Sequence, residues 1–94
     1  MTKVTDKQVA RRIRWARTQL GFTQKELAEA VGCHALTIYR LEKSIRPPTV
    51  NMLYLIAKAM GLALEDFYEA SWKDFQAAVL KSDRFGNNDP RAAP

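Results

Sequence analysis

Hydrophobic positions along this chain recur at steps of three and four, the spacing of helices with one buried face. Val9, Ile13, Ala16 and Leu20 form the first such stripe. It follows a start at Thr5, where Gln8 completes a capping box and Val4 with Val9 supplies a hydrophobic staple. This predicts a first helix running to about Gln19. Thr23 and Glu26 repeat the capping box, with Phe22 and Leu27 as the staple. Leu27, Ala28 and Val31 then give a second apolar face. Gly32 ends that helix, because glycine takes positive φ without a Cβ clash. Ile38 and Leu41 resume helical spacing a few residues later. Two short helices joined by a tight glycine turn make a helix-turn-helix.

Beyond it, Arg46-Pro47-Pro48-Thr49 reads as a rigid connector whose last residue caps the next helix. That helix is expected over about Val50 to Met60, with Val50, Leu53, Ile56, Ala57 and Met60 facing the core and Gly61 ending it. A short fifth helix is expected over about Leu64 to Glu69, starting poorly because Ala63 offers no capping oxygen. Trp72, Phe75 and Val79 repeat at helical spacing, with Ala78 and Leu80 nearby, and predict a further amphipathic helix within residues 71–82. It folds back over the first and fifth helices or forms a dimer interface. Residues 83–94 are turn-rich and poor in apolar side chains, and read as a disordered tail. The expected architecture is all-α, with residues 1–70 as the principal domain.

Composition narrows the picture. Ninety-four residues suit one domain with a small core. With 47% hydrophobic and 27% charged residues the chain reads as globular. No run nears the ~18 apolar residues of a membrane span, and the N-terminus lacks a signal-peptide core, so a cytoplasmic protein is expected. The single Cys33 forms no internal disulfide, and Cys33 beside His34 is no metal set. No cofactor is expected. There is no glycine-rich phosphate loop and no paired carboxylate beside a plausible nucleophile, which argues against an enzyme.

Charge changes the picture most. The net charge is +5, and its distribution is uneven. Residues 1–46 hold ten Lys/Arg against four Asp/Glu; residues 47–94 hold five against six. The positive excess therefore lies wholly in the half with the helix-turn-helix, an electrostatic footprint for nucleic acid. Arg11, Arg12 and Arg14 lie off the first helix's apolar stripe, and either face solvent or touch phosphate. Trp15 sits beside the stripe and either pads the core edge or meets the C-terminal segment.

Several of these residues together resemble the Cro and phage-repressor type of helix-turn-helix, the XRE family. They include Gly21-Phe22-Thr23-Gln24, Glu26-Leu27-Ala28, Val31-Gly32, Thr37-Ile38, Leu41-Glu42 and Pro48-Thr49. The likeness continues through Ile56-Ala57-Lys58-Ala59-Met60-Gly61 and Leu64-Glu65-Asp66-Phe67-Tyr68, covering roughly residues 7 to 69. It implies a lambda-repressor-like five-helix DNA-binding domain, here with the C-terminal helix added.

The resemblance also implies roles. The recognition helix would be roughly Ala35 to Lys43, with base-reading positions at Ala35, Leu36, Tyr39 and Arg40 and Thr37 beside them. Arg40 is the strongest of these chemically, since arginine bonds bidentately to guanine O6 and N7. Tyr39 and Thr37 offer hydroxyls, while Ala35 and Leu36 could touch only thymine methyls. Gln24, Lys43, Ser44 and Arg46 fall where the family holds phosphates, Gln24 also where it buttresses recognition-helix side chains, and Arg17 falls where it pairs with the glutamate matching Glu42. His34 stands in the cap position of the recognition helix, where it is either a weak cap or places its imidazole near a phosphate and makes binding pH-sensitive. Cys33 reads as packing.

The implied function is a sequence-specific double-stranded DNA-binding transcriptional regulator, a repressor, bound as a homodimer to a two-fold operator. That role favours placing Trp72, Phe75 and Val79 in the dimer interface. The alternative is an antitoxin or interaction module whose C-terminal segment binds a partner protein while the helix-turn-helix autoregulates its operon.

Overall fold

The computed structural model describes residues 3–82. Their elements are α1 (Asp6–Gln19), α2 (Gln24–Val31), α3 (Ala35–Glu42), α4 (Val50–Ala59), a 3₁₀ turn (Leu64–Tyr68) and α5 (Trp72–Leu80). There is no strand among the described residues. Met1, Thr2 and the tail expected over 83–94 lie outside the description.

The helix starts follow the capping chemistry. Thr5 Oγ1 accepts from Gln8 N at 3.2 Å while Gln8 Oε1 accepts from Thr5 N at 2.8 Å. Thr23 and Glu26 form the same reciprocal pair at 3.0 and 2.9 Å. Thr49 caps α4 through Met52 N, and Ser71 caps α5 through Asp74 N. Each cap satisfies N–H groups that the first helical turn leaves without partners. Ala63 has no such oxygen; Asp66 accepts from Ala63 N instead, and the segment that follows is a single 3₁₀ turn.

Three helix ends use one device. After α1 and α4, a glycine at positive φ (Gly21, 79°; Gly61, 69°) lets the next two N–H groups fold back on the last carbonyls. Phe22 N donates to Arg17 O and Gly21 N to Thr18 O; Leu62 N donates to Ala57 O and Gly61 N to Lys58 O. After α3 the same pair of bonds forms, Ile45 N to Arg40 O and Ser44 N to Leu41 O. There the left-handed position is held by Ser44, at φ 59°. This is the Schellman arrangement.

The core is built from the predicted stripes. Val9, Ile13, Ala16, Leu27, Ile38, Leu41, Leu53, Ile56 and Met60 are all at most 1% exposed. Phe67 from the 3₁₀ turn and Phe75 and Val79 from α5 complete it, each fully buried. Val50 departs from expectation and is 69% exposed. It is the first residue of α4, and helical side chains lean toward the N-terminus. Its side chain therefore lies beyond the end of the core rather than over it.

α5 lies along the flank of α1. Trp15 meets Trp72 edge-on at 5.5 Å between centroids and lies 6.1 Å from Phe75, so it touches the C-terminal segment while padding the core edge. Arg12, expected in solvent or on phosphate, is 3% exposed. Its Nη1 donates to Phe67 O at 3.1 Å and its guanidinium sits 5.1 Å from the Phe75 ring. Nε finds no hydrogen-bond partner among the described residues. Burial lowers the pKa of this guanidinium, and Glu69 works in the opposite direction. The carbonyl and the ring supply part of what water would have given the cation.

Phe75 thus joins α1, the 3₁₀ turn and α5. Phe75→Ala is expected to destabilise the fold by about 3–5 kcal/mol, read by urea unfolding; a loss below about 1 kcal/mol would mean α5 is not part of the core.

Candidate nucleic-acid interface

α3 is an eight-residue helix with two sides. Ile38 and Leu41 are buried in the core, on the side where α3 packs against α1 and α2. The opposite side carries Leu36 (53% exposed), Tyr39 (41% exposed) and Arg40, also exposed. Ala35 and Thr37 are half-buried at its edges, and Ala35 packs against the core. The Thr37 hydroxyl makes no back-bond into its own helix, unlike Thr18, which bonds Arg14 O and Trp15 O. Lys43 places Nζ 5.9 Å from the Tyr39 ring centroid, a cation–π contact one turn along. The structure therefore brings Leu36, Tyr39, Arg40 and Lys43 onto accessible surface and leaves Ala35 and Thr37 partly covered.

The pose of that side is set from below. Arg17 Nε donates to Glu42 Oε2 at 2.6 Å, and Nη2 donates to Oε1 at 3.1 Å. The Arg17 and Glu42 side chains are only 11% and 2% exposed. The third nitrogen, Nη1, donates to Phe22 O at 2.8 Å, in the turn between α1 and α2. Gln24 Nε2 donates to Glu42 Oε1 at 3.1 Å. A single carboxylate at the end of α3 is thus bonded from the end of α1 and the start of α2. The planar fork matches the carboxylate, which a lysine ammonium could not do. The bonds to Phe22 O and from Gln24 were not visible in sequence spacing, since they depend on how the turn folds. Gln24 thus commits one amide hydrogen to Glu42 and links the start of α2 to the end of α3.

The ends of α3 differ in firmness. His34 adopts cap geometry but makes no side-chain bond to the first turn, and it is exposed. Cys33 is half-buried against the core, and burial pushes its thiol pKa up. It therefore stays protonated at neutral pH, consistent with packing. At the other end Lys43, Ser44 and Arg46 are all exposed and cluster at the turn after α3. Arg14, Arg17, Gln24, Tyr39, Glu42 and Lys43 line a groove of about 240 Å³ beside this face.

Phe75 and Val79 are not on any free surface of this chain. On α5, a contact with a second copy would have to use Trp72 and Leu80, which are 38% and 59% exposed.

Known sequences place this architecture. The sequence profile of the helix-turn-helix family matches residues 13–67. A protein from Methanothermobacter thermautotrophicus described as an uncharacterized HTH-type transcriptional regulator is 44% identical over 57 residues, which cover 60% of this chain and 83% of that protein. A protein of the same description from Archaeoglobus fulgidus is 40% identical over 57 residues, covering 61% of this chain and 81% of the relative. No solved structure matches at comparable significance.

Ser44 occupies a left-handed position that costs an L-residue about 1–2 kcal/mol; glycine would avoid this at an entropic cost of about 0.5–1 kcal/mol. Ser44→Gly is therefore expected to raise stability by roughly 0.5–1 kcal/mol in thermal unfolding. A lower melting temperature would show that the serine side chain holds the turn.

Proposed function

The chain belongs to the helix-turn-helix family, and from that premise we propose a sequence-specific regulator of transcription, a repressor, that lays α3 in the major groove of double-stranded DNA. The observation that carries this is the outward side of α3. Tyr39, Arg40 and Lys43 stand exposed on a helix whose other side is buried and whose end is held by the Arg17–Glu42 pair. Such a side is rigid, cationic and of a width the major groove admits.

Arg40 would read guanine, and Tyr39 and Thr37 would add a hydroxyl each. Leu36, exposed and apolar, would meet a thymine methyl, with Ala35 close by. Lys43, Ser44 and Arg46 would grip phosphates at the turn after α3. With so few hydrogen-bonding groups at the base edges, part of the selectivity would come from DNA shape. Two copies on a two-fold operator would set their recognition helices about 34 Å apart, with Trp72 and Leu80 as the α5 groups free to meet. The regulator is non-enzymatic. The alternative, an antitoxin or interaction module whose C-terminal segment binds a partner protein while the helix-turn-helix autoregulates its operon, would have to use what α5 leaves exposed, since Phe75 and Val79 are buried.

Random-sequence selection with the purified protein, followed by footprinting, tests the proposal. It is expected to yield a two-fold motif; no enrichment over random DNA would refute it. On the selected site, Arg40→Ala is expected to cost about 1–3 kcal/mol and relax preference at one base pair. Lys43→Ala is expected to weaken all sequences alike and flatten the salt slope by about one unit.

A further inference from the structure

Lys7, Arg11 and Arg14 follow one another along α1 at steps of four and three, so they share one face of the helix. All three are exposed. With Gln8, Lys43 and Ser44 they line an open groove of about 500 Å³ between α1 and the end of α3. Arg14, Glu42 and Lys43 line this groove and also the one beside Tyr39 and Gln24. The two grooves therefore adjoin along these three residues, and together they form a trough bordering both the outward side of α3 and the outer face of α1.

The lining has one sign of free charge. Glu42 is its one carboxylate among the described residues, and Arg17 and Gln24 already occupy its oxygens. Lys7, Arg11, Arg14 and Lys43 make no ion pair among the described residues. Asp6 lines an adjoining depression that shares Ser44 with the trough and also holds Arg46 and Pro47, so this carboxylate borders the trough at one end rather than lining it. A cationic helix face is by itself often only a solvated surface. This one is continuous with the recognition face, and that continuity decides what it carries.

We propose that the trough carries a DNA phosphate backbone past the recognition helix, so that Lys7, Arg11 and Arg14 grip duplex flanking the bases that α3 reads. The inference rests on the DNA-binding function proposed above and adds a second contact region to it. From Lys7 to Arg14 is about 10 Å of helix axis at 1.5 Å per residue. That matches about three steps of a strand at 3.4 Å of axial rise each. Three steps join four phosphates, so three cations over that length can each take one, and the lining holds no free carboxylate among the described residues to compete for them.

The test uses the full chain and the selected duplex in two lengths, the footprinted core alone and the core extended by about one helical turn (~10 base pairs) on each side. Wild type is compared with Arg11→Gln/Arg14→Gln by the slope of log affinity against log salt. On the extended duplex the variant's slope is expected to be shallower by about two units, at ~0.9 per lost phosphate contact. On the core duplex the two slopes should agree, and base preference should not change. Should the double variant melt below wild type, Lys7→Gln on the same extended duplex replaces it, with an expected change of about one unit. Equal slopes on the extended duplex overturn the proposal, and so does an equal loss on both lengths, which would put the contacts inside the base-read site. An acidic protein as the true occupant would appear as the first of these. Failure of the DNA-binding function itself looks different, because wild type would then select no sequence at all.

Discussion

The pose of the outward face of α3 depends on one buried contact, the bidentate pair between Arg17 and Glu42. A carboxylate 2% exposed would be costly alone. Here both oxygens are bonded, Oε1 twice, and the guanidinium spends its remaining nitrogen on Phe22 O. Complete satisfaction is what makes such a pair tolerable, since desolvation offsets much of the attraction between the charges. Its effect is geometric. It fixes the end of α3 against the end of α1 and the start of α2, so the outward residues of α3 are presented at one angle. Tyr39, Arg40 and Lys43 inherit their positions from groups that point the other way.

α1 sorts its cations by depth. Arg17 is sunk against a carboxylate, and Arg12 against a carbonyl and an aromatic ring. Lys7, Arg11 and Arg14 stay in solvent on the side that continues the α3 face. The helix therefore both anchors the motif and extends its positive surface. α5 makes this division possible, because Phe75 covers the flank where Arg12 lies, with Trp72 and Trp15 closing the aromatic cluster around it.

Most of the helical frame was legible in the sequence, because its signals are local. The capping boxes at Thr5 and Thr23 need only residues three apart, and the Gly32 turn needs only one residue able to take positive φ. What was not legible depends on distant partners. Nothing near Arg12 announces that Phe67 and Phe75 will enclose it, for these lie more than fifty residues on. The apolar spacing of Phe75 and Val79 was equally consistent with a dimer contact and with a core, and only their packing under α1 separates the two. Val50 fits the stripe of its helix but sits one turn too early to reach the core. For the interface, spacing and family likeness placed Tyr39 and Arg40 on the outward side, while the bond from Gln24 to Glu42 required the turn geometry.

The most direct measurement of the central interaction is a double-mutant cycle on Arg17 and Glu42, using Arg17→Met and Glu42→Met singly and together, with stability read by urea unfolding. Each single change strands a buried charge, at a cost of about 3–5 kcal/mol. The pair removed together leaves no stranded charge, so the double variant should be more stable than either single one, with a coupling of about 2 kcal/mol or more. Simple additivity of the two losses would contradict the view that this pair holds α3 in place.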